Sequence, residues 1–192
     1  MINHRHLILH KPTGYISQLV SNQRKQKKKK LLGELYDFPE GTMPVGRLDE
    51  DSEGLLLLTT DGKLSEQIRS KAVEKEYYVQ VDGEITPEAI ERLKHGVEIS
   101  IFGKKYTTLP CETAPLDPPD VGPPKRKRSK RHGPTSWLSI TITEGKFRQV
   151  RKMTAAVGFP TLRLIRVRIG HISLDGMPSG SVKKIDNFHF GY

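Results

Sequence analysis

Cysteine is nearly absent from this chain of 192 residues, in which Cys111 is the single example. One thiol excludes an internal disulfide framework and any zinc site that is rich in cysteine. The 7 histidines include no pair at helical ligand spacing that flanks an acid, so we expect His4 and His6 to be solvated. Long apolar runs and the apolar stretch of a signal peptide are also missing. These absences predict a protein of the reducing cytosol in which nothing spans a membrane, and without a basic amphipathic helix we expect no membrane partner.

Acidic residues are outnumbered by basic ones. The sequence holds 32 lysines and arginines against 22 aspartates and glutamates, which gives a formal net charge of +10 at pH 7. This balance favours a polyanionic partner, because each phosphate that a lysine or arginine neutralises releases a counterion. A basic surface without a specific partner is the alternative.

Two runs of positive charge, residues 24–30 and 125–132, have no apolar face. Each run is typical of a solvated loop in the free protein. Each is also suited to contact phosphates and to become ordered on RNA, and the two interpretations are compatible. The predicted RNA contacts in these runs are Lys27, Lys28, Lys29, Lys30, Lys125, Arg126, Lys127 and Arg128.

Apolar periodicity predicts strands with interspersed helices. The predicted strands are residues 7–10, 55–59, 77–81, 137–143, 162–170 and 172–174, and a polar tail follows them. The predicted helices are residues 63–70, 87–95 and 147–157, with a short one at 31–36. Asp61 and Thr86 are the predicted N-caps of the first two. Because strands and helices do not alternate regularly as βαβ units, the pattern indicates an α+β fold with a mixed, largely antiparallel sheet and flanking helices.

Prolines concentrate between residues 109 and 134 and should break any regular element there. The strand predicted at residues 137–143 needs sheet partners from earlier in the chain, so we interpret the proline-rich stretch as a surface loop inside one domain. Residues 1–192 are therefore predicted to form a single domain with flexible basic loops near residues 21–30 and 110–134.

One carboxylate is distinguished by its surroundings. Asp49 follows Arg47 in the polar loop Gly46-Arg47-Leu48-Asp49, shortly before the apolar strand predicted at residues 55–59. A loop that is held against the end of a buried strand is a good place to fix a reactive group. Taken alone, Asp49 would more often cap a turn. In a basic chain, however, a fixed carboxylate suggests chemistry that is carried out on a nucleic acid.

Three segments carry a resemblance to a known family: Gly46-Arg47-Leu48-Asp49, Lys75-Glu76-Tyr77-Tyr78-Val79 and Glu144-Gly145-Lys146-Phe147-Arg148-Gln149-Val150-Arg151-Lys152-Met153. Together they resemble the three motifs of the RsuA/RluB/RluE/RluF family of rRNA pseudouridine synthases, and the resemblance extends from residue 10 to residue 174. Residues 134–138 and 153–166 are most similar to the RluE type, which likewise lacks an N-terminal S4-like domain. The resemblance implies the pseudouridine synthase fold, a two-lobed catalytic domain with a central cleft.

The resemblance also implies a reaction, the isomerisation of a specific uridine in 23S rRNA or its precursor to pseudouridine, with no cofactor and no metal. Asp49 matches the catalytic nucleophile, which attacks C1′ of the sugar or C6 of the base, or promotes an elimination. Arg151 matches the arginine that pairs with this aspartate, and Tyr77 matches the tyrosine that stacks on the target base and acts in proton removal at C5. Arg47 matches a residue that fills the space left by the flipped base.

The remaining predicted RNA contacts are polar residues in or near these motifs, namely Lys75, Lys146, Arg148, Gln149, Lys152 and Arg166. For Arg166, a structural role and an RNA contact have equal weight. Two alternatives stay open: a non-catalytic ribosome-assembly factor on the same fold, and a synthase that acts on another RNA such as tRNA. The intact set of Asp49, Tyr77 and Arg151 favours the enzyme, because a pure binding protein has no use for an acid that faces RNA. We expect a monomer that acts in the cytoplasm.

Overall fold

The computed structural model describes residues 4–20, 29–70, 73–124, 129 and 133–190. The described strands are β1 (His6–Lys11), β2 (Tyr15–Ile16), β3 (Lys30–Leu31), β4 (Met43–Pro44), β5 (Glu53–Thr59), β6 (Lys75–Asp82), β7 (Glu98–Ile101), β8 (Lys104–Thr107), β9 (Glu112–Leu116), β10 (Thr135–Ile142), β11 (Thr161–Ile169), β12 (Ile172–Ser173) and β13 (Val182–Ile185). The described α-helices are α1 (Gly62–Ser70), α2 (Pro87–His95) and α3 (Gln149–Ala156). In these ranges, no helix is both long and apolar enough to cross a membrane. The predicted RNA contacts Lys27, Lys28, Lys125, Arg126, Lys127 and Arg128 lie outside the described residues.

The chain divides into two compact units. The first consists of Met1–Val73 and Arg166–Tyr192, and the second consists of Glu74–Ile165. Strand β11 therefore contributes residues 161–165 to the second unit and residues 166–169 to the first. A single catalytic domain over residues 1–192 stays a prediction.

The sheet of the first unit is built around β1 and β5, which pair antiparallel from His6↔Thr59 to Lys11↔Gly54. Strand β13 also pairs antiparallel with β1, and β4 pairs antiparallel with the end of β5. Every residue of β1 and β5 is buried. A strand that is covered on both faces has no polar side to display, which explains the run of four leucines in β5. The core cluster of this unit consists of Leu7, Leu9, Leu32, Leu56 and Leu58.

The predicted strands at residues 7–10 and 55–59 are confirmed, and both are longer than predicted. The prediction that the first strand stops before Lys11 is wrong, because Lys11 belongs to β1 and its side chain is fully buried. The prediction that His6 is solvated is also wrong, because β1 lies between two neighbouring strands. Its Nδ1 atom lies 2.9 Å from Oγ1 of Thr59 on β5, so a hydroxyl replaces the water that the imidazole loses.

Both predicted helix N-caps are confirmed. The Oδ1 atom of Asp61 accepts hydrogen bonds from two backbone N–H groups in the first turn of α1, at 3.0 and 3.1 Å. The hydroxyl of Thr86 accepts a hydrogen bond from the N–H of Ala89 at 3.3 Å. Helix α2 ends as predicted at Gly96, whose φ of +91° is a conformation that only glycine adopts without strain.

The second unit contains the antiparallel sheet β6-β10-β9. Leu138, Ile140 and Ile142 lie on one buried face of β10, as the alternating pattern predicts. Strands β7 and β8 form a separate hairpin. The predicted α+β class with a largely antiparallel sheet is confirmed.

Several elements differ from the prediction. Strand β9 lies within the proline-rich stretch and contains Pro115, so the prediction that prolines break every element there is wrong. This proline is tolerated because β9 is the last strand in the sheet order, where one missing amide donor is not needed. Strand β13 lies in the predicted polar tail, and the short helix predicted at residues 31–36 is a 3-10 helix limited to Leu32–Glu34.

Candidate functional site

Asp49 lies in the first unit, in the loop that precedes β5, and its side chain is half-buried. Leu48, the residue before Asp49, has both its N–H and its carbonyl bound by one buried hydroxyl. The Oγ atom of Ser17 donates to the carbonyl of Leu48 at 2.7 Å and accepts from the N–H of Leu48 at 2.9 Å. On the other side, the N–H of Ser52 donates to the carbonyl of Asp49 at 3.1 Å. The backbone at Asp49 is therefore held by its own unit before any substrate is present.

Lys11 also holds this loop through a hydrogen bond to its backbone. It was not among the predicted site residues. Its ammonium donates hydrogen bonds to the carbonyls of Ser52, at 2.6 Å, and Pro12, at 3.0 Å. Burial lowers the pKa of Lys11 from its ordinary value of 10.5 to about 8, although the carboxylates of Glu53, Asp51 and Asp49 act in the opposite direction. The signal in the sequence was a lysine that continues an apolar strand and precedes a proline.

Basic side chains lie on this loop and beside it. Arg47 is exposed, whereas the next residue, Leu48, is buried. Lys29, a predicted RNA contact, forms an ion pair with Glu50, the residue after Asp49. Lys30, another predicted contact, lies with its Nζ 5.4 Å from the centroid of the Tyr15 ring. The end of the first basic run thus lies beside the Asp49 loop.

Of the two roles predicted for Arg166, a structural role and an RNA contact, the structure supports the structural role. It is only 5% exposed, and its Nε donates to the carbonyl of Leu55 at 2.8 Å. Its backbone also lies so close to β5 that a Cβ at Gly54 would meet the carbonyl oxygen of Arg166 at 2.2 Å. The prediction of an RNA contact at Arg166 is corrected accordingly, because a buried guanidinium that binds the protein backbone does not reach a phosphate.

Tyr77 and Tyr78 lie on opposite faces of β6 in the second unit, as strand alternation requires. Tyr77 shares its face with Val79 and Val81 and is 8% exposed. Tyr78 is half-buried on the other face. The side chain of Lys75, at the start of the same strand, donates to the carbonyl of Thr143 at 3.3 Å.

The third motif forms the loop before α3 and the helix itself. Arg148 has a left-handed φ of 52°, so the predicted helix begins two residues late, at Gln149. Arg148, Arg151 and Lys152 are all half-buried in the second unit. Lys146 is exposed, and its Nζ lies 4.9 Å from the centroid of the Tyr106 ring.

Gln149 is a packing residue and not an RNA contact, which corrects a second prediction. It is 3% exposed. Its Nε2 donates to the carboxylate of Glu144 at 2.6 Å, and its Oε1 accepts from the N–H of Lys146 at 2.9 Å. Glu144 also accepts from the N–H of Leu109 at 2.9 Å. These bonds fix the loop that carries Lys146, and they turn the buried amide toward the protein and away from solvent.

The predicted catalytic residues are thus divided between the units. Asp49 and Arg47 belong to the first unit, and Tyr77 and Arg151 belong to the second. Among the described residues, no three histidine, cysteine, aspartate or glutamate side chains are grouped as metal ligands would be. Each unit presents its part of the predicted site on an ordered backbone: a loop fixed by Ser17 and Lys11 in the first, a central strand and a helix in the second.

Comparison with known proteins agrees with the motifs. A family model described as RNA pseudouridylate synthase matches residues 5–156. The chain is 41% identical over 189 residues to the ribosomal large subunit pseudouridine synthase E of Vibrio parahaemolyticus, which covers 95% of this chain and 74% of that protein. It is 42% identical over 177 residues to the protein of the same name from Xanthomonas axonopodis pv. citri, with 89% and 88% covered. A crystal structure of a pseudouridylate synthase resembles it with a TM-score of 0.75 and 26% identity, over 95% of this chain and 70% of that one.

Proposed function

The chain belongs to the RNA pseudouridylate synthase family, and we propose that it isomerises a specific uridine of large-subunit ribosomal RNA, with Asp49 as the nucleophile. The observation that carries the choice of substrate is the 41% identity, over 95% of the chain, to a protein named for the large ribosomal subunit. The choice of Asp49 is supported by a loop that holds its backbone through Ser17 and Ser52.

The reaction exchanges one bond for another within a single nucleoside. The bond between N1 and C1′ breaks, the base turns, and a bond between C5 and C1′ forms. The proton of C5 is lost and N1 gains one, so no redox partner and no group donor is consumed. A carboxylate suits this sequence because it is both a nucleophile and a leaving group. Asp49 adds to C1′ or C6, or promotes elimination, and is regenerated at the end.

Asp49 must remain ionised and must point in one direction to do this work. Lys11 contributes to the fixed direction, because its buried ammonium donates a hydrogen bond to the carbonyl of Ser52, three residues after Asp49. Lys11 is therefore a positioning residue, which acts through the loop and does not touch the substrate.

Tyr77 and Arg151 keep the roles that the motif resemblance implies. Tyr77 is assigned to stack on the uracil and to assist proton removal from C5, which requires the flipped base to reach a ring that is 8% exposed on the Val79 and Val81 face of β6. The resemblance assigns Arg151 to pair with the catalytic carboxylate, and Arg151 is carried by α3, whose start is anchored by the Gln149–Glu144 hydrogen bond. Arg47, exposed beside Asp49, fills the space that the flipped base leaves.

The basic side chains outside the reaction centre bind phosphates. Exposed or half-buried cations support this role in both units: Lys29, Lys30, Lys75, Lys146, Arg148 and Lys152. Lys27, Lys28, Lys125, Arg126, Lys127 and Arg128 are proposed as further contacts from their positions in the two basic runs. Like charge also opposes self-association, and the net charge of +10 supports a monomer, which we place in the cytoplasm with its RNA.

The test is the conversion of uridine in defined RNAs. Purified protein is incubated with transcripts of 23S rRNA, 16S rRNA and a tRNA pool, and pseudouridines are mapped by carbodiimide modification and primer extension. The proposal predicts one new pseudouridine in the 23S transcript and none in the others. A product confined to tRNA or 16S rRNA would refute the substrate while leaving the reaction intact.

A further inference from the structure

Two phenylalanines in the second unit are exposed next to each other. Phe102, in the β7–β8 hairpin, is 80% exposed, and Phe147, in the loop before α3, is 51% exposed. Their rings are stacked, with centroids 5.3 Å apart and an interplanar angle of 18°. A single exposed apolar side chain needs no explanation, but a stacked aromatic pair in water indicates a surface that another molecule covers.

The backbone at Phe102 indicates that folding does not favour this residue. Ile101 pairs with Lys104, so Phe102 and Gly103 are the two central residues of the hairpin turn. Both have positive φ, at 49° and 81°. Two positive φ values are the requirement of a type I′ turn, in which asparagine or glycine fits best at the first position. A bulky aromatic residue is strained there, and strain at a side chain that stays 80% exposed points to a function.

Three lysines lie near the two rings in space or along the chain. The Nζ of Lys152 lies 5.0 Å from the centroid of the Phe147 ring, and a hydrogen bond of 2.7 Å to the carbonyl of Ser100 holds it in place. Lys146 directly precedes Phe147, and Lys104 lies two residues after Phe102; both lysines are exposed. Lys152 thus lies against the Phe147 ring, and Lys146 and Lys104 are close to the two phenylalanines along the chain.

The acids of this region are engaged by the protein itself. Glu144 accepts hydrogen bonds from the hydroxyl of Tyr106 and from the N–H of Leu109, and Glu98 forms an ion pair with Lys105 at 3.0 Å. The charge that this region offers to a ligand is therefore positive.

We propose that the aromatic platform formed by Phe102 and Phe147 stacks an unpaired base of the RNA substrate, at a distance from the uridine that reacts, while the adjoining lysines contact the phosphates on either side. The proposal rests on the proposed function in that the ligand is RNA. Stacking on aromatic rings combined with a basic surface is how proteins bind single-stranded nucleic acid. A protein partner fits less well, since lysine is depleted at protein interfaces, and a second copy of this basic region would repel the first.

The test measures binding to an RNA that cannot react. The probe is a fluorescein-labelled, single-stranded oligoribonucleotide in which every uridine is replaced by cytidine, and affinity is read from fluorescence anisotropy. Loss of one base stack weakens binding about fivefold to a hundredfold. We expect such a loss for Phe102→Asn and for Phe147→Ala, retention of affinity in Phe102→Trp, and no change in the control Leu162→Ala, which truncates another exposed apolar side chain of the same unit.

A second probe separates stacking from charge. An oligonucleotide with abasic sites keeps the phosphates but removes the bases. The wild type should bind this abasic probe more weakly than it binds the intact probe. The Phe102→Asn variant should bind the two probes equally well. Phe102→Asn should also melt at the same or a higher temperature, because it relieves the turn. Unchanged affinity in both phenylalanine variants would overturn the proposal. So would self-association of the wild type that Phe102→Asn abolishes without affecting RNA binding.

Different observations would refute the proposed function and the proposed aromatic platform. The cytidine-substituted probe reports binding without turnover, whereas the proposed function is judged by pseudouridine in natural transcripts. Platform variants that bind the probe as tightly as the wild type, in a protein that still forms pseudouridine, refute the platform alone.

Discussion

Replacing Lys11 with methionine should change how the stability of the protein depends on pH. The ammonium of Lys11 is fully buried, and burial lowers its pKa from 10.5 to about 8. The unfolded chain therefore binds this proton more tightly than the folded protein does. Between pH 8 and 10.5 the folded protein has lost the proton while the unfolded chain retains it, so in this window the stability of the wild type rises with pH on account of Lys11.

The size of the effect follows from the difference between the two pKa values. Each tenfold change in proton affinity is worth about 1.4 kcal/mol, so the shift from 10.5 to about 8 corresponds to about 3 kcal/mol of unfolding free energy. Urea denaturation of the wild type and of Lys11→Met at pH 7, 8, 9 and 10 measures it. Subtracting the two curves removes the contribution of the groups that both proteins share.

The unfolding free energy of the wild type minus that of Lys11→Met should increase by up to about 3 kcal/mol from pH 7 to pH 10. Lys183→Met, which removes an exposed ammonium from the adjacent strand β13, serves as the matched control and should differ from the wild type by a constant amount. If the difference in unfolding free energy between wild type and Lys11→Met does not change with pH, the Lys11 ammonium is not buried in the folded protein. It would then not hold the Asp49 loop as described.

Three further measurements test the packing inside the two units. Gly54→Ala should destabilise the protein by about 3 kcal/mol or more in urea denaturation, since its Cβ would lie 2.2 Å from the carbonyl oxygen of Arg166; a neutral result would contradict the close approach of these strands. Ser17→Ala should cost about 1–3 kcal/mol and lower turnover, because Leu48 loses both partners in its backbone hydrogen bonds, and unchanged turnover would separate this hydroxyl from the Asp49 loop. Burial raises the pKa of Cys111 to about 11, so iodoacetamide should alkylate it much more slowly at pH 8 than it alkylates free cysteine, and equal rates would contradict the burial.

Local rules predicted those parts of the fold that depend on neighbouring residues. The caps at Asp61 and Thr86 and the buried leucines of β5 follow from short-range hydrogen bonding and burial. Strand β13 could not be found this way, because Val182–Ile185 has only two apolar residues and is a strand through its pairing with β1, more than 170 residues earlier. The β7–β8 hairpin escaped notice for a related reason, since its turn is Phe-Gly and not one of the favoured turn pairs.

At the candidate site, too, some residues could be predicted from the sequence and others could not. Motif order identified Asp49, Tyr77 and Arg151 as candidates, but residue type alone cannot tell a buried polar group from an exposed one. Gln149 and Arg166 carry the groups of an RNA contact, yet both are buried by contacts that the sequence does not reveal. Lys11 was missed for the converse reason, because lysine is rarely buried and its role depends on the carbonyl of Ser52, 41 residues away.

The central claim, that Asp49 carries out the isomerisation, is tested most directly by tritium release from 23S rRNA transcript labelled at C5 of uridine. Wild type should release tritium in proportion to the pseudouridine formed. Asp49→Asn, which keeps the shape of the side chain but not the nucleophilic carboxylate, should release none above background while its melting temperature and RNA affinity stay close to those of the wild type. Release by Asp49→Asn at the wild-type rate would contradict the account.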